Sequence, residues 1–361
     1  MRKLQNVLVT GGLGFIGSNF IRTLLKEPAF TGKIINLDKI TYAGNPASLK
    51  DVQEQFLDTR YFFEKGDITE RGVIEQIFIK YHIDTVVHFA AESHVDRSIL
   101  GPENFIKTNV LGTFTLLETA RHFWLPHKTV DREVLFHHIS TDEVYGSLGT
   151  TGSFSETSPY DPHSPYSASK AASDHLVLSY YYTYGLPVTI SNCSNNYGPY
   201  QFPEKFIPLS ILNIIEEKPL PVYGNGKNIR DWIYVGDHNR AVLKILNEGG
   251  AGQRYNIGGD NEWENIRLLH TLIDIIARKI NLDSEKIRNT IKFVKDRPGH
   301  DLRYAIDCSK IKKELGWKQD VNFTEGLSRT VDWYLGNQDW AGQIRSGDYQ
   351  KWIEKNYEER N

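Results

Sequence analysis

Cysteine is nearly absent from this chain: Cys193 and Cys308 are the two in 361 residues. They stand far apart with no Cys-x-x-Cys spacing, which argues against a disulfide framework and against a thiolate zinc cluster. Long apolar runs are missing as well. No stretch approaches the roughly 20 apolar residues that span a bilayer, and the run in MRKLQNVLVTGG is too short for the core of a signal peptide. Neither sign of charge dominates. A net charge of −3 with 24% charged residues leaves no basic footprint for nucleic acid and no membrane-binding patch. The twelve histidines show no ligand spacing, so no metal is expected, and His137 and His138 read as structural residues ending a strand. These absences describe a soluble protein of a reducing, cytoplasmic compartment.

What is present is enough apolar material, 40% of the chain, for one large domain or two intimate ones. Strand and helix patterns alternate through the first half. Strands are expected at Val7–Thr10, Lys33–Leu37, Tyr61–Lys65, Thr85–Phe89 and Val134–Ile139. Helices are expected at Ile16–Leu25, near Val73–Lys80 and at Asn109–Arg121. Such alternation predicts an α/β fold with a Rossmann-type doubly wound parallel sheet. After about Asn195 the texture changes, with Pro199, Pro203, Pro208, Pro219 and Pro221 interrupting the pattern, and one clear amphipathic helix at Asn265–Ile280. Residues 1–195 are therefore expected to bind a dinucleotide, with roughly 235–262 returning to that unit. Residues 196–361 form mainly a smaller C-terminal substrate-binding region.

Gly11, Gly14 and Gly17 in TGGLGFIGSNF follow a strand and open a helix. A glycine turn there lets backbone N–H groups approach a pyrophosphate at the helix N-terminus, where the dipole favours anions. Asp38 ends the second strand about 20 residues on, where an acid accepts hydrogen bonds from the adenosine ribose and repels a 2′-phosphate. This favours NAD over NADP. Lys39 beside it is a contrary sign, read as solvent-facing.

The segment VLFHHISTDEVYG, with YSASK downstream, places Thr141, Asp142, Glu143, Tyr166 and Lys170 in one span. Tyr166 and Lys170 are four apart and share a helix face. A phenol of pKa near 10 is a poor base at neutral pH, but a neighbouring ammonium and an oxidised nicotinamide both favour the phenolate. Lowering it by about 3 units takes roughly 4 kcal/mol. Consecutive strand residues point to opposite faces, so Asp142 and Glu143 share one pocket only if the strand has ended. Ser140-x-x-Glu143 also fits a capping box, a simple helix start. Gly146 and Gly149 leave room for one turn or a tight loop. The glycine motif with the Tyr-x-x-x-Lys pair resembles the short-chain dehydrogenase/reductase superfamily.

STDEVYG, YSASK, NCSNNYGPYQFPEKFIPL, GNGKNIRDWIYVGDH and RPGHDLRYAID together resemble the dTDP-glucose 4,6-dehydratases, an extended branch of that superfamily, over nearly the whole chain. The resemblance implies a lyase acting on dTDP-glucose through tightly held NAD, in deoxysugar and dTDP-rhamnose formation. It implies Tyr166 as base at the C4 hydroxyl with Thr141 orienting that oxygen, Glu143 as base at C5, and Asp142 as acid at the departing C6 hydroxyl. Around the cofactor it implies Phe15, Ile16, Thr41, Asp67, Ile68, Phe89, Ala90, Ala91, Ser93, Thr108 and Asn196, beside the glycines, Asp38, Lys39, Tyr166 and Lys170. Around the substrate it implies Ser93, Thr141, Asn195, Lys205, Phe206, Pro221, Tyr223, Asn265 and His300. Arg230 and Arg297 match diphosphate-binding arginines, a task suited to planar bidentate donors. A homodimer built on Asn109–Arg121 and the Tyr166 helix is also implied. Three alternatives stay open: a nucleotide-sugar 4-epimerase, which needs no carboxyl pair, a dehydratase of a UDP- or GDP-sugar, and an NAD-binding sensor without catalysis.

Overall fold

A computed structural model describes residues 2–125 and 133–344; the expected 196–361 region thus has its last seventeen residues outside the described ones. In chain order the strands are β1 (Asn6–Thr10), β2 (Lys33–Asp38), β3 (Tyr61–Lys65), β4 (Thr85–His88), β5 (Leu135–Thr141) and β6 (Val188–Cys193), then β7 (Asn195–Tyr197), β8 (Leu220–Tyr223), β9 (Ile229–Tyr234), β10 (Gln253–Ile257), β11 (Glu262–Glu264) and β12 (Ile291–Val294).

A seven-stranded sheet runs β10-β6-β5-β4-β1-β2-β3, all pairs parallel. Parallel strands are covered on both faces, so they read as continuous apolar runs. Val7, Leu8, Val9, Ile34, Ile35, Val86 and Val87 are all fully buried. The order reverses between β1 and β4, opening a crevice at the carboxyl ends of the strands where ligands bind in such sheets. One face is covered by helices Phe15–Lys26 and Val235–Glu248, which pack on each other through one apolar cluster that holds Phe20, Ile21, Leu24, Val242 and Leu246. The other carries helices Arg71–Tyr81, Thr113–Trp124 and Pro165–Tyr184, joined through Ile74, Leu116, Leu117 and Val177. Burying each such side chain contributes about 1.5–3 kcal/mol.

The expected elements sit where the periodicity puts them, with two differences. Helix Asn109–Arg121 begins earlier, and its Ile106–Gly112 turn is widened to a π-helix before the regular Thr113–Trp124. Strand β5 runs past Ile139 to Thr141, so His137 and His138 lie inside it rather than at its end. His137 is satisfied by Thr189 and Ser191 at 2.9 and 3.2 Å, a structural use.

After β6 the chain leaves the sheet, returns for β10, and leaves again. A second apolar cluster gathers Ile207, Trp232, Leu268, Leu272, Ile276, Phe323, Leu327 and Tyr334. Helix Asn265–Ile280 supplies its apolar stripe, and β7, β9 and β11 form a three-stranded sheet beside it. No helix among the described residues is long and apolar enough to cross a membrane.

Candidate active site

One cleft runs from the β1 turn across the carboxyl ends of β4 and β5 to β7. At its near end the glycine turn is tight enough to exclude side chains. A Cβ on Gly11 would lie 2.7 Å from the Ala90 backbone, and one on Gly17 would lie 2.5 Å from the Gly11 carbonyl oxygen. Gly11 also has φ +71°, where an L side chain is strained. Gly14 caps helix Phe15–Lys26 without a side chain, and the first turn carries no acid. That leaves an open, electropositive helix end for an anion. The Asp38 carboxylate accepts the N–H groups of Leu13 and Ile40 at 3.0 and 2.8 Å. It thereby closes the turn while standing at the cleft. Lys39 reaches Asp67 at 3.0 Å and is half-exposed. A bare glycine cradle, a free helix N-terminus and a buried acid at the next strand end fit a dinucleotide.

Phe15, Ile16, Thr41, Asp67, Ile68, Phe89, Ala90, Ala91, Ser93, Thr108 and Asn196 line the same cleft, as do Thr141, Asp142, Glu143, Tyr166, Lys170, Asn195 and Lys205. Beyond Thr141 the strand gives way to a single 3₁₀ turn, Asp142–Tyr145, closed by Gly146 at φ +87°. The cap differs from the capping box expected of Ser140: Thr141 accepts the Glu143 N–H at 3.3 Å. Ser140 borders the cleft too, but its hydroxyl is turned to helix Pro165–Tyr184, where it donates to Asp174 at 2.8 Å. Strand alternation explains the exchange.

The electrostatics separate the two carboxyls. Burial raises the Asp142 pKa well above the carboxylate range, and Glu143 and Asp231 add to it. Its Oδ2 is buried without a hydrogen-bond partner. Burial also raises Glu143, but Arg297, Arg230 and Lys205 oppose it. Tyr166 departs from expectation. Burial, with Glu143 and Cys193 contributing, raises the phenol well above 10, while a hydrogen bond with Thr141 lowers it. Lys170 is itself brought down to about 8 by burial; its ammonium donates to the Ile139 carbonyl at 2.6 Å. The protein's own groups thus leave Tyr166 a phenol.

The other expected substrate residues lie behind the lining rather than in it. Arg230 donates to the Ile229 and Asp301 carbonyls and covers the Tyr304 ring at 4.2 Å. Arg297 stands 3.9 Å from Asp96, and its buried Nε has no hydrogen-bond partner. Tyr223 donates to Asp96 at 3.4 Å, and His300 meets Asp296 at 2.6 Å and the Tyr223 ring edge-on. Phe206 and Asn265 each open a helix and Pro221 lies in β8; none of the three lines the cleft. Residues that the motifs did not single out also enter it: Tyr42, Cys193, Ser194, Gln201 and Glu204. Glu204 is buried and pairs with Arg97 at 3.2 Å; its only sequence signal is its place beside Lys205. His138 and Asp174 stand directly behind Lys170. The spacing of Asp174, four residues after Lys170, was a legible signal for them.

The GDP-mannose 4,6 dehydratase family model matches residues 8–330. The dTDP-glucose 4,6-dehydratase of Salmonella typhimurium is 52% identical, over 99% of this chain and 100% of the relative, and one from Escherichia coli K12 is 50% identical over the same shares. Among solved structures, the dTDP-glucose 4,6-dehydratase DesIV of Streptomyces venezuelae, crystallised with NAD bound, is 45% identical. It superposes with a TM-score of 0.85, covering 94% of this chain and 100% of that one. A UDP-glucose 4-epimerase from Thermotoga maritima is more distant, at 26% identity and a TM-score of 0.80 over 92% and 100%. Sequence, fold and cleft agree: the chain belongs to the dTDP-glucose 4,6-dehydratase family.

Proposed function

We propose that this protein converts dTDP-glucose to dTDP-4-keto-6-deoxyglucose and water with the help of tightly held NAD. The observation that carries the reading is the adjacent pair Asp142 and Glu143, one acid pushed well up by burial and by its neighbour. Both face the cleft that also receives Tyr166 and Lys170. An alcohol oxidation needs only the tyrosine and lysine; a water elimination needs an acid and a base besides.

NAD, held by the glycine turn and Asp38, would supply the hydride acceptor for C4 and the hydride donor for C6. The chain's residues do the rest. Tyr166, hydrogen-bonded with Thr141, takes the C4 hydroxyl proton as the phenolate, a state that its burial opposes and that the Lys170 ammonium together with an oxidised nicotinamide would have to favour. The resulting ketone acidifies C5, whose proton goes to Glu143 and is given back to C5 when C6 is reduced. Asp142 gives its proton to the departing C6 hydroxyl, which leaves as water. Pairing two carboxyls whose surroundings push them apart in acidity is how one site supplies acid and base at the same pH.

Arg297, with its unpartnered buried Nε, and Arg230 are assigned to the substrate diphosphate, with Lys205, Tyr223, Asn265 and His300 nearby. The dinucleotide unit is assigned to residues 1–195 with 235–262, and the product to deoxysugar formation in the cytoplasm. A homodimer is supported by apolar side chains left exposed on the two helices in question: Ile106, Leu111 and Phe114 on one, Tyr182 and Tyr184 on the other.

Incubation with dTDP-glucose tests the reading. The 4-keto-6-deoxy product is expected. Formation of dTDP-galactose would establish the 4-epimerase instead, and retained NAD without turnover would establish a sensor. Turnover of UDP- or GDP-glucose in preference to the dTDP sugar would displace the substrate assignment alone.

A further inference from the structure

Behind the cleft, the interior holds a charged group that the reaction described above does not use. Asp174 lies one helical turn after Lys170 on the same face of helix Pro165–Tyr184 and is fully buried. Isolated buried charges are costly unless a partner charge and hydrogen bonds offset them. Asp174 has three hydrogen bonds, all on one oxygen, while Oδ1 has no hydrogen-bond partner and faces the imidazole. Its Oδ2 accepts hydrogen bonds from Ser140 at 2.8 Å, Tyr160 at 2.7 Å and Asn192 at 3.2 Å. Its Oδ1 lies 3.3 Å from His138 Nε2, and the same nitrogen lies 3.4 Å from the Lys170 ammonium.

The imidazole is therefore a wedge between the two charges rather than a charge itself. Burial and Lys170 hold His138 down to about 4, so it is neutral at working pH. His138 Nδ1 is buried without a hydrogen-bond partner, and Nε2 faces both neighbours; as an N–H it serves the Asp174 carboxylate, and the Ile139 carbonyl is then the acceptor for Lys170. Burial works against the Asp174 charge, but the His138 N–H, the Tyr160 hydroxyl and the charge of Lys170 hold the carboxyl below its ordinary value. We propose that Asp174 is the positioning residue of Lys170: with His138 between them, its carboxylate keeps Lys170 an ammonium and fixes it on the Ile139 carbonyl.

The remaining groups around the pair fit this division. Lys170 faces His138 from β5, Cys193 from β6 and His88 from β4. Cys193 is pushed up to about 12 by burial and stays a neutral thiol, and His88 is lowered well below its ordinary value and stays neutral. Asp174 also feels Tyr145, and Arg254 from β10, which covers the Tyr160 ring at 5.3 Å. Of the groups facing Lys170 here, Asp174 is the one that is anionic. Without it, desolvation would favour the neutral amine, which cannot stabilise a phenolate on Tyr166.

The inference rests on the proposed role of Lys170, and its test separates the two. Turnover of dTDP-glucose is measured against pH for the parent, Asp174→Asn and Asp174→Glu. In Asp174→Asn the alkaline limb of kcat should move to lower pH by about 1 unit or more, with KM changed less than kcat. Asp174→Glu, which restores the charge, should bring the limb back. A uniform loss at every pH, or an unmoved limb, overturns the proposal. Where Asp174→Asn fails to fold, or where the parent does not turn over dTDP-glucose, carboxyl 13C NMR of the parent decides. The Asp174 resonance, assigned by its loss in Asp174→Glu, should stay at its carboxylate position down to about pH 4. A carboxyl already protonated at neutral pH overturns the proposal independently of the enzyme's activity.

Discussion

Thr141 accepts the backbone N–H of Glu143 at 3.3 Å, and this bond turns the end of a strand into a wall of the active site. It stops β5 one residue before Asp142 and winds the chain into one 3₁₀ turn. In a continuing strand Asp142 and Glu143 would face opposite sides of the sheet. Wound up, both reach the cleft.

If Asp142 is the acid of the elimination, removing its proton should stop the reaction halfway. Asp142→Asn should slow water loss by about 10²–10⁴-fold while leaving C4 oxidation intact. Stopped-flow absorbance with dTDP-glucose should then show reduced nicotinamide accumulating on the enzyme. A variant that never reduces the cofactor would reverse the roles given to Asp142 and Glu143.

The same carboxyl is a burden on the fold. Its pKa is raised on folding, so the native state holds a proton that the unfolded chain gives up. Its contribution is favourable below the unfolded value and is lost as pH rises through the folded value, by up to about 1.4 kcal/mol per pH unit. Asparagine does not titrate. The Tm of Asp142→Asn should therefore exceed the parent's by on the order of 1–3 °C at pH 8, and the difference should shrink toward pH 4. A difference that does not depend on pH would show that Asp142 is not held protonated.

Glu143 must be ionised to act as a base, and Arg297 is the first of the cations that offset its burial. Arg297→Gln removes that offset and raises the carboxyl further. The acid limb of kcat should then move to higher pH by about 1 unit. Measurement at saturating substrate separates this from the rise in KM expected of a diphosphate ligand. An acid limb that stays in place would remove Arg297 from the electrostatics of the base.

Much of this is legible in the sequence alone. The glycine turn, the acid at the end of β2 and the Tyr-x-x-x-Lys pair are local devices whose spacing carries their geometry, and the parallel sheet follows from alternating apolar runs. The capping assignment was not legible, because Ser140 and Thr141 both suit a helix start. Which one turns inward depends on where β5 ends, and that depends on its pairing as far as Thr141 with Cys193 of β6.

The sequence by itself determined which chemistry is available: a dinucleotide cradle, a phenol, an ammonium and two neighbouring carboxyls. Only the tertiary structure decided their states. Asp142 is pushed up by burial and its neighbour, Glu143 is offset by arginines far along the chain, and Lys170 and Asp174 both face one buried imidazole, because burial and charges brought from distant segments set the cost of ionising each group. Acidity of this kind is a property of the surroundings, and the surroundings exist only once β5, β6, β9 and the Tyr166 helix have met.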